Sequence, residues 1–263
     1  MDCMRESQKR QGLYPIVKKT ACARQTYDVT VLCPDIAKTA SPGQFVHIRC
    51  PGVTLRRPIS ICQVDAQRGT VRLVFEVRGR GTAELAQLGE GELMDLLGPL
   101  GHGFEILPGA RAVAVGGGIG VPPMLEALRS YGENGTAILG FRSANAVILE
   151  EDFLQNGNQV RLATDDGTRG TKGFVTQLLK EQLEQQRPDI IYACGPTPML
   201  KGVAALAQQY GVCCQVSLEE RMGCGVGACL VCACKTLREN GYEGYSHVCK
   251  DGPVFEAQQV VFE

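Results

Sequence analysis

The sequence contains no tryptophan, only three histidines and no uninterrupted apolar run of membrane-spanning length. Without such a run a membrane-spanning helix is not predicted, and the first residues lack the apolar segment of a secretory signal. The 27 Lys and Arg residues nearly balance 28 Asp and Glu, for a formal net charge of −1. The missing apolar segments predict a cytoplasmic protein. Because proteins that bind nucleic acids or membrane surfaces usually carry a strong basic excess, we expect neither kind of partner.

Hydrolytic chemistry is also not indicated. The three histidines, His47, His102 and His247, form no arrangement with a nucleophile and an acid, so we interpret them as structural. The 263 residues are enough for roughly two domains with a small appendage, and the 44% apolar content is ordinary for a globular protein. Thirteen cysteines without a secretory signal favour reduced thiols and a metal cluster over disulfides.

Four of these cysteines carry the strongest signal. Cys224, Cys229, Cys232 and Cys249 follow the pattern C-x4-C-x2-C…C, which is typical of a plant-type [2Fe–2S] cluster. The glycines among them leave room for the backbone to curl around an inorganic core. The alternative is a structural zinc site, although zinc usually pairs two CxxC-like knuckles. Cys234 falls outside the pattern and is interpreted as a spare thiol.

The first part of the chain, up to about residue 104, predicts a small antiparallel barrel. It contains six or so short β-type runs separated by turns such as Ser41-Pro42-Gly43. The runs are LYPIVKKTACA, YDVTVLC, QFVHIRC, RPISICQV, TVRLVFEV and ELMDLLGP. A barrel of this kind can bind a flat ligand across its outer face or mouth.

From residue 111 the pattern alternates between strands and helices, which predicts a doubly wound parallel sheet covered on both faces. The complete fold class is therefore multi-domain α/β plus β. We place the barrel at residues 11–106, the α/β domain at residues 107–216 and the cluster domain at residues 217–263.

Two glycine-containing loops lie at the carboxyl ends of predicted parallel strands. Gly116-Gly117-Gly118-Ile119-Gly120 opens a helix, and Cys194-Gly195-Pro196 ends a later strand at the same edge. Such loops let a dinucleotide approach the backbone and a helix N-terminus. The first loop alone is also compatible with a tight turn that binds nothing, since Val121 replaces the last glycine of the dinucleotide fingerprint.

In the barrel half, Arg56-Arg57-Pro58-Ile59-Ser60 places cations beside a strand, where an arginine can fork onto a pyrophosphate. The plain alternative is a solvated basic turn. The segment 78–82 is predicted to be a loop in which glycine and threonine can bind another phosphate oxygen.

Four segments taken in order, at 56–61, 116–123, 192–200 and 221–255, resemble the ferredoxin–NADP reductase superfamily. Within it, they are similar to the electron-transfer subunits of NAD-dependent, two-subunit dihydroorotate dehydrogenases. The resemblance implies a flavin-binding barrel, a pyridine-nucleotide domain and a [2Fe–2S] domain, with FAD, NAD and the cluster as cofactors. It also implies Cys224, Cys229, Cys232 and Cys249 as cluster ligands.

The resemblance assigns cofactor-binding positions residue by residue. Arg57 would hold the FAD phosphates and Ser60 would lie near the reactive flavin nitrogen. The remaining FAD positions would be Pro58, Ile59, Val74, Phe75, Glu76, Gly81 and Thr82. The nicotinamide path would be bordered by Gly118, Gly120, Cys194 and Gly195. Where Ile59 stands, the broad superfamily often has an aromatic residue, whereas the dihydroorotate subunits commonly have an aliphatic one.

The implied function is electron transfer from the FMN of a catalytic dihydroorotate dehydrogenase partner, through the cluster and FAD, to NAD⁺ in pyrimidine biosynthesis. The implied assembly is a heterotetramer of two plus two subunits. A related flavin and iron–sulfur reductase subunit serving ferredoxin or another redox partner has the same motifs and stays open as an alternative. A zinc-stapled, nucleotide-binding regulator is the other. The residues alone do not decide between NAD and NADP, because Arg142 and Ser143 follow the second strand of the α/β domain, where they can meet a 2′-phosphate.

Overall fold

The computed structural model describes residues 10–238 and 240–262. It confirms the predicted fold class, with a closed antiparallel barrel, a mostly parallel sheet and a C-terminal segment containing a two-stranded hairpin. Among the described residues, no helix combines the length and apolar character needed to cross a bilayer.

The barrel has six strands in the order β1-β2-β5-β4-β3-β6. Their bounds are β1 (Arg10–Ala23), β2 (Thr26–Leu32), β3 (Phe45–Arg49), β4 (Arg57–Asp65), β5 (Thr70–Glu76) and β6 (Leu93–Leu100). The short helices α1 (Pro34–Ala37) and α2 (Arg80–Leu85) connect strands. Alternation along each strand sends every second side chain inward, so that Val46, Ile48 and Leu73 lie fully buried in the barrel core.

The loop predicted at 78–82 is wrong in its second half, because α2 already begins at Arg80. The Oγ1 atom of Thr82 accepts hydrogen bonds from the backbone N–H groups of Arg78, at 2.9 Å, and Gly79, at 3.3 Å. A side-chain oxygen that binds the free amides before a helix stabilises its first turn. Thr82 therefore helps to begin the helix in a segment whose two glycines favour a loop.

The second sheet has seven strands in the order β10-β9-β8-β7-β11-β12-β15. Their bounds are β7 (Ala112–Gly117), β8 (Gly135–Phe141), β9 (Gln159–Thr164), β10 (Thr171–Lys172), β11 (Ile190–Cys194), β12 (Cys213–Ser217) and β15 (Val254–Glu256). The neighbours from β10 to β12 are parallel, and β15 joins the edge antiparallel to β12.

Helices cover both faces of this sheet. The helices α3 (Pro122–Leu128) and α4 (Glu150–Gln155) pack on one face, and α5 (Val175–Gln185) and α6 (Thr197–Tyr210) pack on the other. The alternation within β7 divides its side chains between the two cores, with Ala114 on the first face and Val115 on the second. The apolar run of β7 is thus explained by burial on both sides.

The C-terminal segment lies between the two larger units. The strands β13 (Ala233–Leu237) and β14 (Glu243–His247) form an antiparallel hairpin, and the chain then returns as β15. Cys232, Cys249 and Phe255 share an apolar cluster with Phe45 and Leu100 of the barrel. The cysteine-rich segment is therefore packed directly against the barrel wall.

Ionic contacts join the barrel to the parallel-sheet domain. Arg72 on β5 pairs with Asp28 at 2.7 Å and, across the domain boundary, with Asp152 on α4. Nearby, Glu126 on α3 accepts a hydrogen bond of 3.0 Å from the backbone N–H of Val64. The first contact holds α4 against the barrel, and the second holds α3, which follows the first glycine-rich loop.

Candidate flavin, nucleotide and iron–sulfur sites

The four predicted cluster ligands come together as two pairs. The thiol of Cys224 lies beside that of Cys229, and the thiol of Cys249 lies beside that of Cys232. Backbone hydrogen bonds link the same pairs, because the Cys224 N–H donates to the Cys229 Sγ at 3.3 Å and the Cys249 N–H to the Cys232 Sγ at 3.4 Å. The pairing joins a tight loop to a cysteine much later in the chain.

Backbone amides of the cluster loop, defined as residues 223–232, point towards these sulfurs. The N–H groups of Val226 and Ala228 donate to the Cys224 Sγ at 3.4 and 3.2 Å, and the Gly227 N–H donates to the Cys249 Sγ at 3.1 Å. Burial alone would raise the pKa of Cys224, but these backbone hydrogen bonds outweigh it and lower the pKa to about 6. The loop therefore stabilises thiolate, the form that binds iron.

This arrangement fits two irons better than a single zinc ion. A zinc ion needs about four ligands around one point, whereas each iron of a [2Fe–2S] cluster takes two thiolates and two sulfides. The observed two-plus-two pairing fits the two thiolates that each iron takes, and N–H groups donating to sulfur stabilise these thiolates.

The second cysteine pair is the more buried of the two. Cys232 and Cys249 are nearly inaccessible, and burial followed by the neighbouring Cys232 raises the pKa of Cys249 to about 12. Cys234 lies apart on β13, where its thiol donates to the Ser246 backbone oxygen at 3.5 Å. Its placement agrees with the interpretation of Cys234 as a residue outside the ligand set.

The cluster loop covers the outer face of β3. Because side chains alternate along a strand, Phe45 and His47 share the face opposite to the barrel core. Phe45 packs in the cluster with Cys232 and Cys249, and the ring of His47 lies against Gly225. Burial, and after it Arg56, lower the pKa of His47 to about 4, although the backbone of Cys224 opposes this shift.

The predicted FAD segment runs along β4, immediately beside β3. In the antiparallel register Ser60 lies opposite Phe45, and Pro58 lies opposite His47. Directly opposite residues share one face of a sheet. Ser60 and Pro58 are therefore cross-strand neighbours of the two β3 residues that contact the cysteine segment, whereas Ile59 packs against the barrel core.

The two arginines of this segment have different environments. Arg56 forms an ion pair of 2.9 Å with Asp95 and is thereby engaged within the barrel. Arg57 lies against Gly81 at the start of α2, where a Cβ on Gly81 would come within 2.7 Å of the arginine Nε. The structure thus brings Arg57, Gly81 and Thr82 together, with Gly81 allowing the close approach of the guanidinium.

The other three predicted FAD positions follow one another on β5 but face different surroundings. Val74 packs in the apolar cluster between the barrel and the sheet domain, whereas Phe75 points into the barrel core. Glu76 accepts a hydrogen bond of 2.8 Å from Arg78. Because Phe75 is fully buried among core side chains, only its backbone is available to a ligand.

The two predicted nucleotide loops meet at one edge of the sheet. β7 and β11 are adjacent parallel strands, with Gly116 opposite Cys194, and the chain order reverses between them. A Cβ on Gly120 would overlap the carbonyl oxygen of Cys194, so these two backbones touch. A Cβ on Gly195 would come within 2.7 Å of the Met199 Cε. The crevice at such a reversal is where doubly wound sheets bind ligands.

The loop that follows β8 is held by the turn that follows β9. The Asp166 N–H donates to the Arg142 backbone oxygen at 3.3 Å, and the Ala144 N–H donates to the Thr168 Oγ1 at 2.8 Å. Asp165 and Asp166 are thus placed beside the segment that contains Arg142 and Ser143. The sequence analysis did not single out this pair, because the contact between the two loops depends on the pairing of β8 with β9.

Comparison with known proteins agrees with this geometry. Residues 219–261 match the family model described as the iron-sulfur cluster binding domain of dihydroorotate dehydrogenase B, and residues 114–205 match the oxidoreductase NAD-binding domain. The first match contains all four paired cysteines, and the second contains both nucleotide loops.

Among solved structures, the chain is similar to one from an NADH-dependent reduced ferredoxin-NADP oxidoreductase, described in connection with flavin-based electron bifurcation. That match has 33% identity and a TM-score of 0.84, and it covers 95% of this chain and 90% of the other. A ferredoxin reductase of carbazole 1,9a-dioxygenase shares the fold, with 21% identity and a TM-score of 0.67 over 78% of this chain and 67% of the other.

Curated relatives match over nearly the full length. The dihydroorotate dehydrogenase B (NAD(+)), electron transfer subunit of Shouchella clausii (strain KSM-K16) is 43% identical, covering 96% of this chain and 99% of the relative. The subunit of the same name from Bacillus caldolyticus is 42% identical, covering 94% and 96%. The chain therefore belongs to the family of electron transfer subunits of NAD(+)-dependent dihydroorotate dehydrogenase B.

Proposed function

We propose that this chain passes electrons from the FMN of a separate dihydroorotate dehydrogenase catalytic subunit, by way of a [2Fe–2S] cluster and FAD, to NAD⁺. The observation that carries the proposal is the packing of the paired cysteines onto the strand next to the predicted FAD strand. An iron–sulfur centre exchanges single electrons, a nicotinamide exchanges a hydride, and a flavin can do either. A chain that connects the two chemistries needs all three sites close together.

The protein's contribution is to hold and orient these groups. Cys224, Cys229, Cys232 and Cys249 hold the cluster, and the loop amides donate to their sulfurs. Because hydrogen bonds to sulfur favour the more negative reduced state, the amides raise the reduction potential of the site.

For FAD, we propose that Arg57 binds a phosphate beside Gly81 and Thr82, while Ser60 and Pro58 face the flavin. The backbones of Val74, Phe75 and Glu76, with the partly buried Ile59, complete that site. For NAD, we propose Gly118, Gly120, Cys194 and Gly195 as the border of the nicotinamide path.

The cluster loop also offers a surface for the catalytic partner. Leu230 and Val231 lie between ligands Cys229 and Cys232, with 62% and 56% of their surfaces exposed. Leu230 adopts a φ of +61°, which costs a leucine about 1–2 kcal/mol. Exposed apolar side chains held at such a cost beside a redox site support docking of a subunit there. We propose a heterotetramer of two plus two subunits, testable by light scattering of the purified complex.

We propose further that the units divide at residues 106/107 and 216/217, with β15 of the third range returning to the sheet of the second. We also propose the cytoplasm as the location, because cluster assembly requires reduced thiols and the twelve described cysteines are free.

The division of labour can be tested with the purified subunit. Alone, it should oxidise NADH with an artificial electron acceptor but should not oxidise dihydroorotate. Addition of an FMN-containing catalytic subunit should restore dihydroorotate-dependent reduction of NAD⁺. Robust dihydroorotate oxidation by this chain without a partner would refute the proposal.

A second candidate is favoured by the similarity to a chain of a ferredoxin-NADP oxidoreductase. In that case the same sites would serve ferredoxin or another redox partner. Affinity purification of the native complex followed by flavin analysis distinguishes the two candidates. Recovery of an FMN subunit supports the first, and recovery of a ferredoxin-dependent partner without FMN supports the second.

A further inference from the structure

His47 occupies the contact between the barrel and the cluster loop. It lies on the outer face of β3 and is fully buried, with 0% of its surface exposed. On one side its cross-strand neighbour is Pro58 of the predicted FAD strand. On the other side a Cβ on Gly225 would come within 2.6 Å of the histidine Nδ1. The ring thus touches the residue that follows cluster ligand Cys224.

No well-formed hydrogen bond reaches either ring nitrogen of His47 within the described residues, although backbone groups of Cys224 and Arg56 lie near the ring. An uncharged imidazole has one N–H donor and one acceptor. Leaving a buried polar group unsatisfied costs about 1–3 kcal/mol, so a purely structural residue at this position would be better replaced by an apolar one. A buried N–H without a well-formed hydrogen bond can bind an acceptor that a cofactor brings to the Gly225 side.

The surroundings identify the chemistry of that acceptor. Around the four cysteines, the loop amides of Val226, Gly227 and Ala228 already donate to sulfur. Arg56 does not compete with His47 as a donor to sulfur. Its guanidinium is paired with Asp95 and donates to the His47 backbone oxygen at 3.1 Å. A sulfur of the bound cluster would supply the acceptor that the ring N–H of His47 lacks.

We propose that His47 is a positioning residue that donates a hydrogen bond from Nδ1 to a sulfur of the cluster at its Cys224 corner and thereby raises its reduction potential. The inference rests on the two-iron cluster of the proposed function. It revises the interpretation of His47 as a structural histidine. Through His47, β3 would directly influence the reduction potential of the cluster.

The test uses the full chain with its cofactors, prepared anaerobically. The midpoint potential of the cluster is measured by a redox titration followed by electron paramagnetic resonance. His47→Phe removes the donor with little change in bulk, and His47→Asn keeps a donor near the position of Nδ1. His102→Asn is the matched control, because that side chain is exposed and takes no part in the site.

We expect His47→Phe to make the potential more negative by the equivalent of about tenfold in the one-electron equilibrium, or about 59 mV. His47→Asn should restore most of the difference, and His102→Asn should match the unsubstituted chain. A potential unchanged in His47→Phe overturns the inference. Equal shifts in the Phe and Asn variants overturn it as well, since they would show a packing effect.

A second measurement does not depend on whether His47→Phe assembles its cluster. With [¹⁵N]histidine in the unsubstituted chain, pulsed paramagnetic resonance should detect a nitrogen coupled to the reduced cluster. That coupling should disappear in His47→Asn and persist in His102→Asn, and its retention in His47→Asn overturns the inference. If the unsubstituted chain contains no iron and no acid-labile sulfide, the proposed function fails instead, and the inference falls with it.

Discussion

At the nucleotide edge, defined by residues 116–120 and 194–196, glycine lets two backbones touch, whereas in the cluster loop it lets the backbone aim its amides at sulfur. A Cβ on Gly120 would overlap the Cys194 carbonyl oxygen. In the cluster loop, Gly225 has a φ of +72°, and the next three N–H groups donate to cysteine sulfurs. The same residue type therefore serves close packing in one region and conformation in the other.

The difference shows which atoms recognise each ligand. The nucleotide edge is completed by strand pairing between β7 and β11, so its shape exists without any ligand. The cluster loop has little regular structure of its own, and its order depends on sulfur atoms as acceptors. We therefore expect substitutions at the nucleotide edge to affect folding, and substitutions in the cluster loop to affect mainly the metal centre.

The largest effect is expected for Cys249→Ala. It removes one of the four thiolates, and the remaining three cannot complete two irons. We expect complete loss of acid-labile sulfide and of the paramagnetic signal, while FAD is retained because its predicted residues lie in the barrel. Cys234→Ala is the matched control and should keep full iron and sulfide contents, since among the described residues that thiol donates to the Ser246 oxygen and not to a paired cysteine. A cluster retained in Cys249→Ala would remove this residue from the ligand set.

The next effect is expected at the nucleotide edge. Gly120→Ala places a methyl group where the Cys194 oxygen already lies, so the loops must separate. We expect the free energy of unfolding to fall by about 3 kcal/mol, typical of overpacking, and NADH binding to weaken. Urea unfolding and NADH titration measure the two effects.

Gly118→Ala is the control within the same loop. Gly118 has a φ of +54°, but a methyl group added there would meet no heavy atom within 4 Å. Only the left-handed conformation opposes the substitution, at about 1–2 kcal/mol. If Gly118→Ala and Gly120→Ala lowered the free energy of unfolding equally, contact with the Cys194 backbone would not explain the effect at Gly120.

A third prediction compares two glycines of the cluster loop, Gly225 and Gly223. Gly225→Ala combines a φ of +72° with a Cβ only 2.6 Å from the His47 Nδ1. We expect a loss of about 2 kcal/mol in the free energy of unfolding and a changed paramagnetic spectrum. Gly223→Ala should have less effect on stability, because its nearest neighbour is the Cys229 Sγ at 3.1 Å and its φ is not positive. The opposite ranking would contradict the conformational explanation of this loop.

Much of this architecture could be predicted from the sequence, because its signals are local. Cysteine spacing predicted which four cysteines come together as pairs, and alternating apolar residues predicted the barrel and both faces of the sheet. The hidden features depend on distant contacts. The antiparallel β15 returns to β12 only after the cysteine segment, and His47 acquires its neighbour from a loop near the other end of the chain. Periodicity within QFVHIR showed which face His47 shares with Phe45, but not what covers that face.

The smallest effect concerns Glu126, through which the helix after the first nucleotide loop contacts the barrel. Burial raises the pKa of this carboxyl, although the Val64 N–H and Arg129 partly offset the shift. The folded state then binds the proton more tightly than the unfolded chain. The free energy of unfolding must therefore fall as the pH rises from the usual glutamate pKa to the raised one, and this contribution is constant above it.

Glu126→Gln removes the titrating carboxyl group but keeps an oxygen that accepts from the Val64 N–H. The variant also loses the ion pair with Arg129, which contributes little because Arg129 is half-exposed. The variant should gain stability relative to the unsubstituted chain as the pH rises, by less than about 1 kcal/mol. Urea unfolding of both proteins from about pH 4 to about pH 8 measures this difference. A relative loss with rising pH would mean that the ionised carboxylate stabilises the contact. The contact between α3 and the barrel would then be stabilised by charge, as the sulfurs of the cluster loop are, and not by close packing as at the nucleotide edge.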